Sequence, residues 1–114
     1  MKRLTRVNEL LKREIGMIIE RYIAPEVESL ITVTQIKTSP DLRQAAVFVS
    51  VYGGSTNHEE ILMLLKHHRV EIQKRLAKNV TLKYTPVLRF FIDDNNEKAD
   101  RIYNILNKLN VEEQ

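Results

Sequence analysis

Eight basic side chains carry most of the chemistry this sequence offers. Arg3, Arg6 and Arg13 stand in the N-terminal segment. Lys66, Arg69, Lys74, Arg75 and Lys78 stand in the middle, where they outnumber nearby acids. Cations gathered on one surface bind phosphate, and RNA-binding proteins draw much of their affinity from such contacts. A charge run is also the ordinary outer face of a solvated helix, and spacing alone leaves both readings open. Base stacking would need exposed rings. Phe48 and Tyr52 are the strand candidates, and both could be core, so stacking recognition by an open sheet is not expected.

The other reactive residue types point to structure rather than catalysis. Gly53-Gly54 is followed by Ser-Thr-Asn without the lysine of a phosphate-binding loop, so it reads as turn chemistry. His67 and His68 are adjacent, hence about 100° apart on a helix, and poorly placed to ligate one metal ion. His67 and Glu71 share a face, but a third ligand is missing nearby. His68 falls among apolar positions and reads as a partly buried histidine with a hydrogen-bond partner. Asp93, Asp94, Glu97 and Asp100 could serve as acid and base or hold magnesium. They stand at a predicted helix start, where the macrodipole favours negative charge, and no nucleophile accompanies them. No cofactor, no metal and no catalysis are expected. Cysteine is absent, which excludes disulfides, thiolate catalysis and Cys-ligated metal.

These residues must be positioned by a modest chain. Its 114 residues fit one domain, 1–114, with a single core. Hydrophobic residues make up 43% and charged residues 29%, a globular mixture rather than a disordered one. Net charge is +3, a mild lean towards polyanions. No apolar run reaches bilayer length, and polar residues interrupt the basic N-terminus before any signal-peptide core could form.

The periodicity predicts six elements. A first helix runs from about Leu4 to Ala24, with Leu4, Val7, Leu11, Ile15, Ile18 and Tyr22 as its apolar stripe. Lys2, Arg6, Glu9 and Arg13 lie on another side, and Pro25 stops the helix. Leu30 to Thr38 is a β-branched strand, Ser39-Pro40-Asp41 a turn, and Gln44 to Tyr52 an alternating strand. Val47, Val49 and Val51 take one side of that strand, Phe48, Ser50 and Tyr52 the other. The short connection predicts an antiparallel hairpin. Thr56-Asn57-His58-Glu59 reads as a capping box for a helix from His58 to about Lys78. A third strand covers Val87 to Ile92, and a last helix spans roughly Glu97 to Leu109. A three-stranded sheet with helices packed on one face follows, an α+β domain with a right-handed crossover. The predicted core contains Leu11, Ile18, Val47, Val49, Ile61, Leu65, Ile72, Phe90 and Ile102.

Over nearly its whole length the chain resembles the ribosome-binding factor A family. The resemblance runs from Arg6-Val7 through Arg13-Glu14-Ile15 and Ile18-Ile19. It continues from Val33 without a break to Gly53, and then through Pro86-Val87-Leu88-Arg89-Phe90-Phe91-Ile92-Asp93-Asp94, Arg101-Ile102 and Ile105-Leu106. It implies a single type II KH-like domain, α-β-β-α(kink)α-β-α, in the bacterial cytoplasm. It further implies binding to the immature 30S subunit and its 16S rRNA near the neck and decoding region. Support of late rRNA processing and subunit maturation, and of growth in the cold, follows from it too. The eight basic residues are then the expected RNA contacts.

The family's Ala-x-Gly kink corresponds to His68-Arg69-Val70 here, with Ala99 where glycine is usual and Asn95 where serine is usual. Valine takes positive φ poorly, yet a kinked helix pair is expected, with Arg69 and Lys74 flanking the bend and facing RNA. A monomer is expected, with no membrane and no small-molecule substrate. Two other functions compete: a KH-like RNA binder outside ribosome assembly, and an adaptor whose amphipathic helices dock on a partner protein.

Overall fold

A computed structural model describes residues 2–54 and 57–93, with the side chain of Lys2 excepted. Helix α1 spans Lys2–Ile18, continues into a five-residue π turn, Ile19–Ile23, and closes with a 3₁₀ turn, Ala24–Glu26. Strands β1 (Leu30–Thr38) and β2 (Gln44–Tyr52) follow, then helices α2 (His58–His67) and α3 (Arg69–Asn79), then β3 (Val87–Ile92). All three strands have the bounds the sequence reading predicts. The last helix, Ile102 in the core, and the acids Asp94, Glu97 and Asp100 lie outside the described residues.

The sheet order is β1-β2-β3, with β1 antiparallel and β3 parallel to β2. The hairpin forms because five connecting residues, Ser39 to Arg43, separate two extended runs. Ser39 N–H donates to Gln44 O (2.9 Å), Leu42 N–H to Ser39 O (2.8 Å), and Gln44 N–H to Ser39 Oγ (3.0 Å). The parallel pair needs a long crossover, which α2 and α3 supply. The outer edge of β3 is not left bare, since Leu88 N–H donates to Gln73 Oε1 of α3 (3.0 Å).

A bulge at Thr34 decides what β1 buries. The register skips from Val33 to Gln35, so Ile31 and Val33 face the helices before it, and Ile36 and Thr38 after it. Strict alternation would have turned Ile36 outward. The displaced Thr34 hydroxyl lies 2.5 Å from Asp93 Oδ2 and 3.2 Å from Phe48 O, which pins the end of β3 across the sheet. Thr38 Oγ1 donates to Asn8 Oδ1 (2.5 Å), fixing α1 on β1.

The main core joins Leu11, Ile15, Ile18, Ile19 and Ile23 to the strands and to Ile61, Leu65, Ile72 and Leu76. Eight of the nine predicted core residues are buried there; the ninth is Ile102. The other face of the sheet carries a smaller cluster of Ala46, Phe48 and Phe91, whose two phenyl rings stack at 5.5 Å. Phe48 is fully buried, which removes it as a stacking candidate, whereas Tyr52 is 79% exposed.

Two local readings are corrected. The helix after the hairpin is capped one residue later than the capping-box pattern suggests. Asn57 Oδ1 accepts from Glu60 N–H (2.8 Å) and Asn57 Nδ2 donates to Glu60 Oε1 (3.2 Å). Asparagine is as good an N-cap as threonine, and Glu60 rather than Glu59 is the third residue after it. Tyr22 is the second correction. A continuous α-helix would put it in the stripe four residues after Ile18. The π turn instead bonds Ala24 N–H to Ile19 O, five residues back. The wider turn rotates Ile23 inward, to 1% exposure, and leaves Tyr22 at 39%.

Candidate nucleic-acid interface

The helix pair breaks at one residue. His68 takes φ −93°, ψ 5°, between α2 and α3. This is negative-φ bridge geometry that any L-residue can adopt, so the bend needs no glycine and Val70 is under no demand for positive φ. The hydrogen-bond chain passes through the joint, with His68 N–H on Leu64 O (3.1 Å) and Ile72 N–H on His68 O (2.9 Å). The kink is therefore mild and keeps Ile61, Leu65, Ile72 and Leu76 all in the core.

Carboxylates surround the imidazole at this joint. His68 Nε2 lies 2.8 Å from Glu26 Oε2, a close contact without hydrogen-bond alignment, and Nδ1 lies 3.7 Å from Glu71 Oε2. His68 thus ties the kink to the turn that ends the first helix. Glu71 also accepts from Arg75 Nη2 (2.9 Å) and Nε (3.3 Å). Those bonds from Arg75 hold the Glu71 carboxyl below its ordinary value, with desolvation acting the other way. Glu71 stands in the first turn of α3 and so answers the positive end of that helix. Among the described residues no group of three or more His, Cys, Asp or Glu is placed to hold a metal ion. None of their helices is long and apolar enough to cross a membrane.

The eight basic residues do not form one patch. Arg3, Arg6 and Arg13 are exposed along α1, where Arg13 Nε approaches Glu14 Oε2 at 3.5 Å. Lys66 is exposed on the last turn of α2, and Lys74 and Lys78 are exposed one turn apart on α3. Arg69 is half-buried. Five residues separate it from Lys74, about 140° around the helix, so the two do not share a face.

Arg75 is held on both sides. Glu71 binds its guanidinium, which lies over the Tyr22 ring at 3.5 Å from the centroid. This contact joins the π turn to α3. A cleft of about 640 Å³ opens there, lined by Met17, Ile18, Glu20, Arg21, Tyr22, Arg75, Lys78 and Asn79. Arg21 and Tyr22 are the residues that sequence reasoning missed. Helical periodicity puts Tyr22 in the core, and nothing in the local residue types announces a π turn. A second cation–ring contact, Arg43 over Tyr84 at 4.6 Å, lies beside the first turn of the hairpin and the loop before β3.

A family model described as ribosome-binding factor A matches residues 3–106 of the chain. Among curated proteins, a ribosome-binding factor A from Chlamydia pneumoniae is 39% identical over 99% of this chain and 96% of its own length. One from Halothermothrix orenii is 39% identical over 99% and 93%. One from Opitutus terrae is 36% identical over 94% and 87%. The crystal structure of ribosome-binding factor A from Thermus thermophilus superposes with a TM-score of 0.69 at 24% identity, over 78% of this chain and 94% of that one. A Thermus thermophilus ribosome-binding factor A homology model, fitted into the electron cryo-microscopy map of a 30S complex, gives 0.60 at 25% identity. That match covers 74% of this chain and 88% of the other.

Proposed function

The chain belongs to the ribosome-binding factor A family, and from that premise we propose that it binds the small ribosomal subunit as a single-domain assembly factor. The full-length match to relatives of that name carries the reading, and the Thermus thermophilus protein placed in a 30S complex supports it. We infer further that the target is the immature 30S subunit with its 16S rRNA. Late rRNA processing and growth in the cold are the processes served, in the cytoplasm and without catalysis. The rRNA contacts fall to Arg3, Arg6 and Arg13 of α1 and to Lys66, Arg69, Lys74 and Lys78 of the kinked pair, with Arg75 contributing through its held position. The solvent exposure of most of these cations supports that assignment.

Sedimentation of cell extract tests the reading. The protein should travel with free small subunits or their precursors, and less with translating ribosomes. Protein that stays at the top of the gradient at low salt, with and without immature subunits, refutes it. Lys74→Glu with Lys78→Glu should weaken binding and lower the slope of log affinity against log salt by about two. An adaptor docking through apolar helix faces would show little salt dependence.

A further inference from the structure

The geometry points to a second, specific element within the RNA-binding reading, on which it rests: the cleft between the π turn and α3 is a subsite for an unpaired nucleotide, with Tyr22 stacking the base. Three observations converge on it. First, the π turn turns a tyrosine out of the core and leaves it 39% exposed in a concave site, where a continuous helix would have buried it. Secondly, Arg75 already covers one ring face at 3.5 Å and is itself fixed by two hydrogen bonds from its guanidinium to Glu71 Oε1. The ring is therefore pre-oriented, and its remaining exposed surface is available to a planar ligand at little entropic cost. Thirdly, Arg21 and Lys78 line the same cleft, and neither stands in an ion pair among the described residues. With Arg75 neutralised by Glu71, they leave two cations against the one carboxylate of Glu20, a balance suited to the phosphates flanking one base.

A π-face beside two cations matches the stacking-and-backbone chemistry by which single strands are held, and it is tolerant of base identity. A duplex offers phosphates but no accessible base face, so the subsite distinguishes the two forms. An acidic peptide would use Arg21 and Lys78 and gain nothing from the ring. Tyr52, although 79% exposed, has no cation over its ring among the described residues and does not line this cleft.

The test uses the full chain with a fluorescein-labelled octauridylate, a duplex RNA of the same strand length, and immature small subunits. Tyr22→Leu should weaken octauridylate binding about five- to a hundredfold while leaving duplex binding unchanged. Tyr22→Phe keeps the ring and should bind within about twofold of wild type. Ultraviolet cross-linking of the unaltered protein to octauridylate should place the adduct on the peptide containing Tyr22, which needs no variant to fold. Adducts confined to Tyr52 or Tyr84 overturn the proposal. So does Tyr22→Leu that matches wild type on octauridylate, an equal loss on duplex and single strand, or wild type that fails to bind octauridylate. If the wild type still sediments with immature subunits in those cases, only the subsite fails. If it does not, the ribosome reading has failed with it.

Discussion

The π turn makes a sharp prediction about neighbouring residues. Ile23 is 1% exposed in the main core, and truncating it to alanine removes three buried carbons between α1 and the sheet. Such deletions cost about 2–5 kcal/mol, the range reflecting how far the site collapses. Tyr22 is 39% exposed, and its described partner is the Arg75 guanidinium. A cation–ring contact near the surface contributes about 0.5–1 kcal/mol, so Tyr22→Ala should cost about 1 kcal/mol once some lost packing is added. Urea unfolding followed by circular dichroism measures both. With a slope near 1.5 kcal/mol/M, Ile23→Ala should lower the midpoint by about 1–3 M and Tyr22→Ala by less than about 1 M. A continuous α-helix reverses the order, because Tyr22 would then follow Ile18 into the core. Equal costs, or a larger cost at Tyr22, would refute the π-turn register.

Other outcomes follow from single contacts. Leu65 is fully buried, so Leu65→Ala should cost about 2–5 kcal/mol by thermal or urea unfolding, and a cost under about half a kcal/mol would show the α2 register to be wrong. Gly53 and Gly54 both have φ near +74°, but a Cβ on Gly54 would lie 2.5 Å from Ser29 Oγ and 2.9 Å from Ser29 N, whereas Gly53 faces open space. Gly53→Ala should therefore cost about 1 kcal/mol for its backbone alone, and Gly54→Ala clearly more, since it also displaces the Ser29 hydroxyl from Gly53 O; equal losses would contradict the close approach. Glu71 titrates below its ordinary value in the folded chain, because Arg75 favours the carboxylate. Its contribution to stability should be complete above the unfolded value of about 4.3 and be lost as pH falls through the lower folded value. Glu71→Gln should flatten the stability–pH curve in that acid window, and a curve identical to wild type would show that the clamp does not form.

Much of the architecture is written locally. The bounds of β1, β2 and β3 follow from β-branched runs between turn residues, and the phase of Ile61, Leu65, Ile72 and Leu76 follows from helical spacing. The basic excess and the absence of cysteine also belong to the sequence alone, and so does the pattern that resembles ribosome-binding factor A. Tertiary packing decided the rest. The Thr34 bulge turns Ile36 inward because the α1 face needs it there, although strict alternation points it out. The extra residue in the π turn is invisible to a periodicity that fits Ile18 and Tyr22 equally well. It is selected because Ile19 and Ile23 fill the core, and the Tyr22–Arg75 contact is its consequence. The bend at His68 likewise comes without glycine or proline, through a negative-φ conformation beside Glu26 and Glu71. Which cations act together was equally beyond reach from spacing. Arg75 reads like Lys74 and Lys78 in the sequence, and only the approach of two distant segments binds it to a ring and a carboxylate.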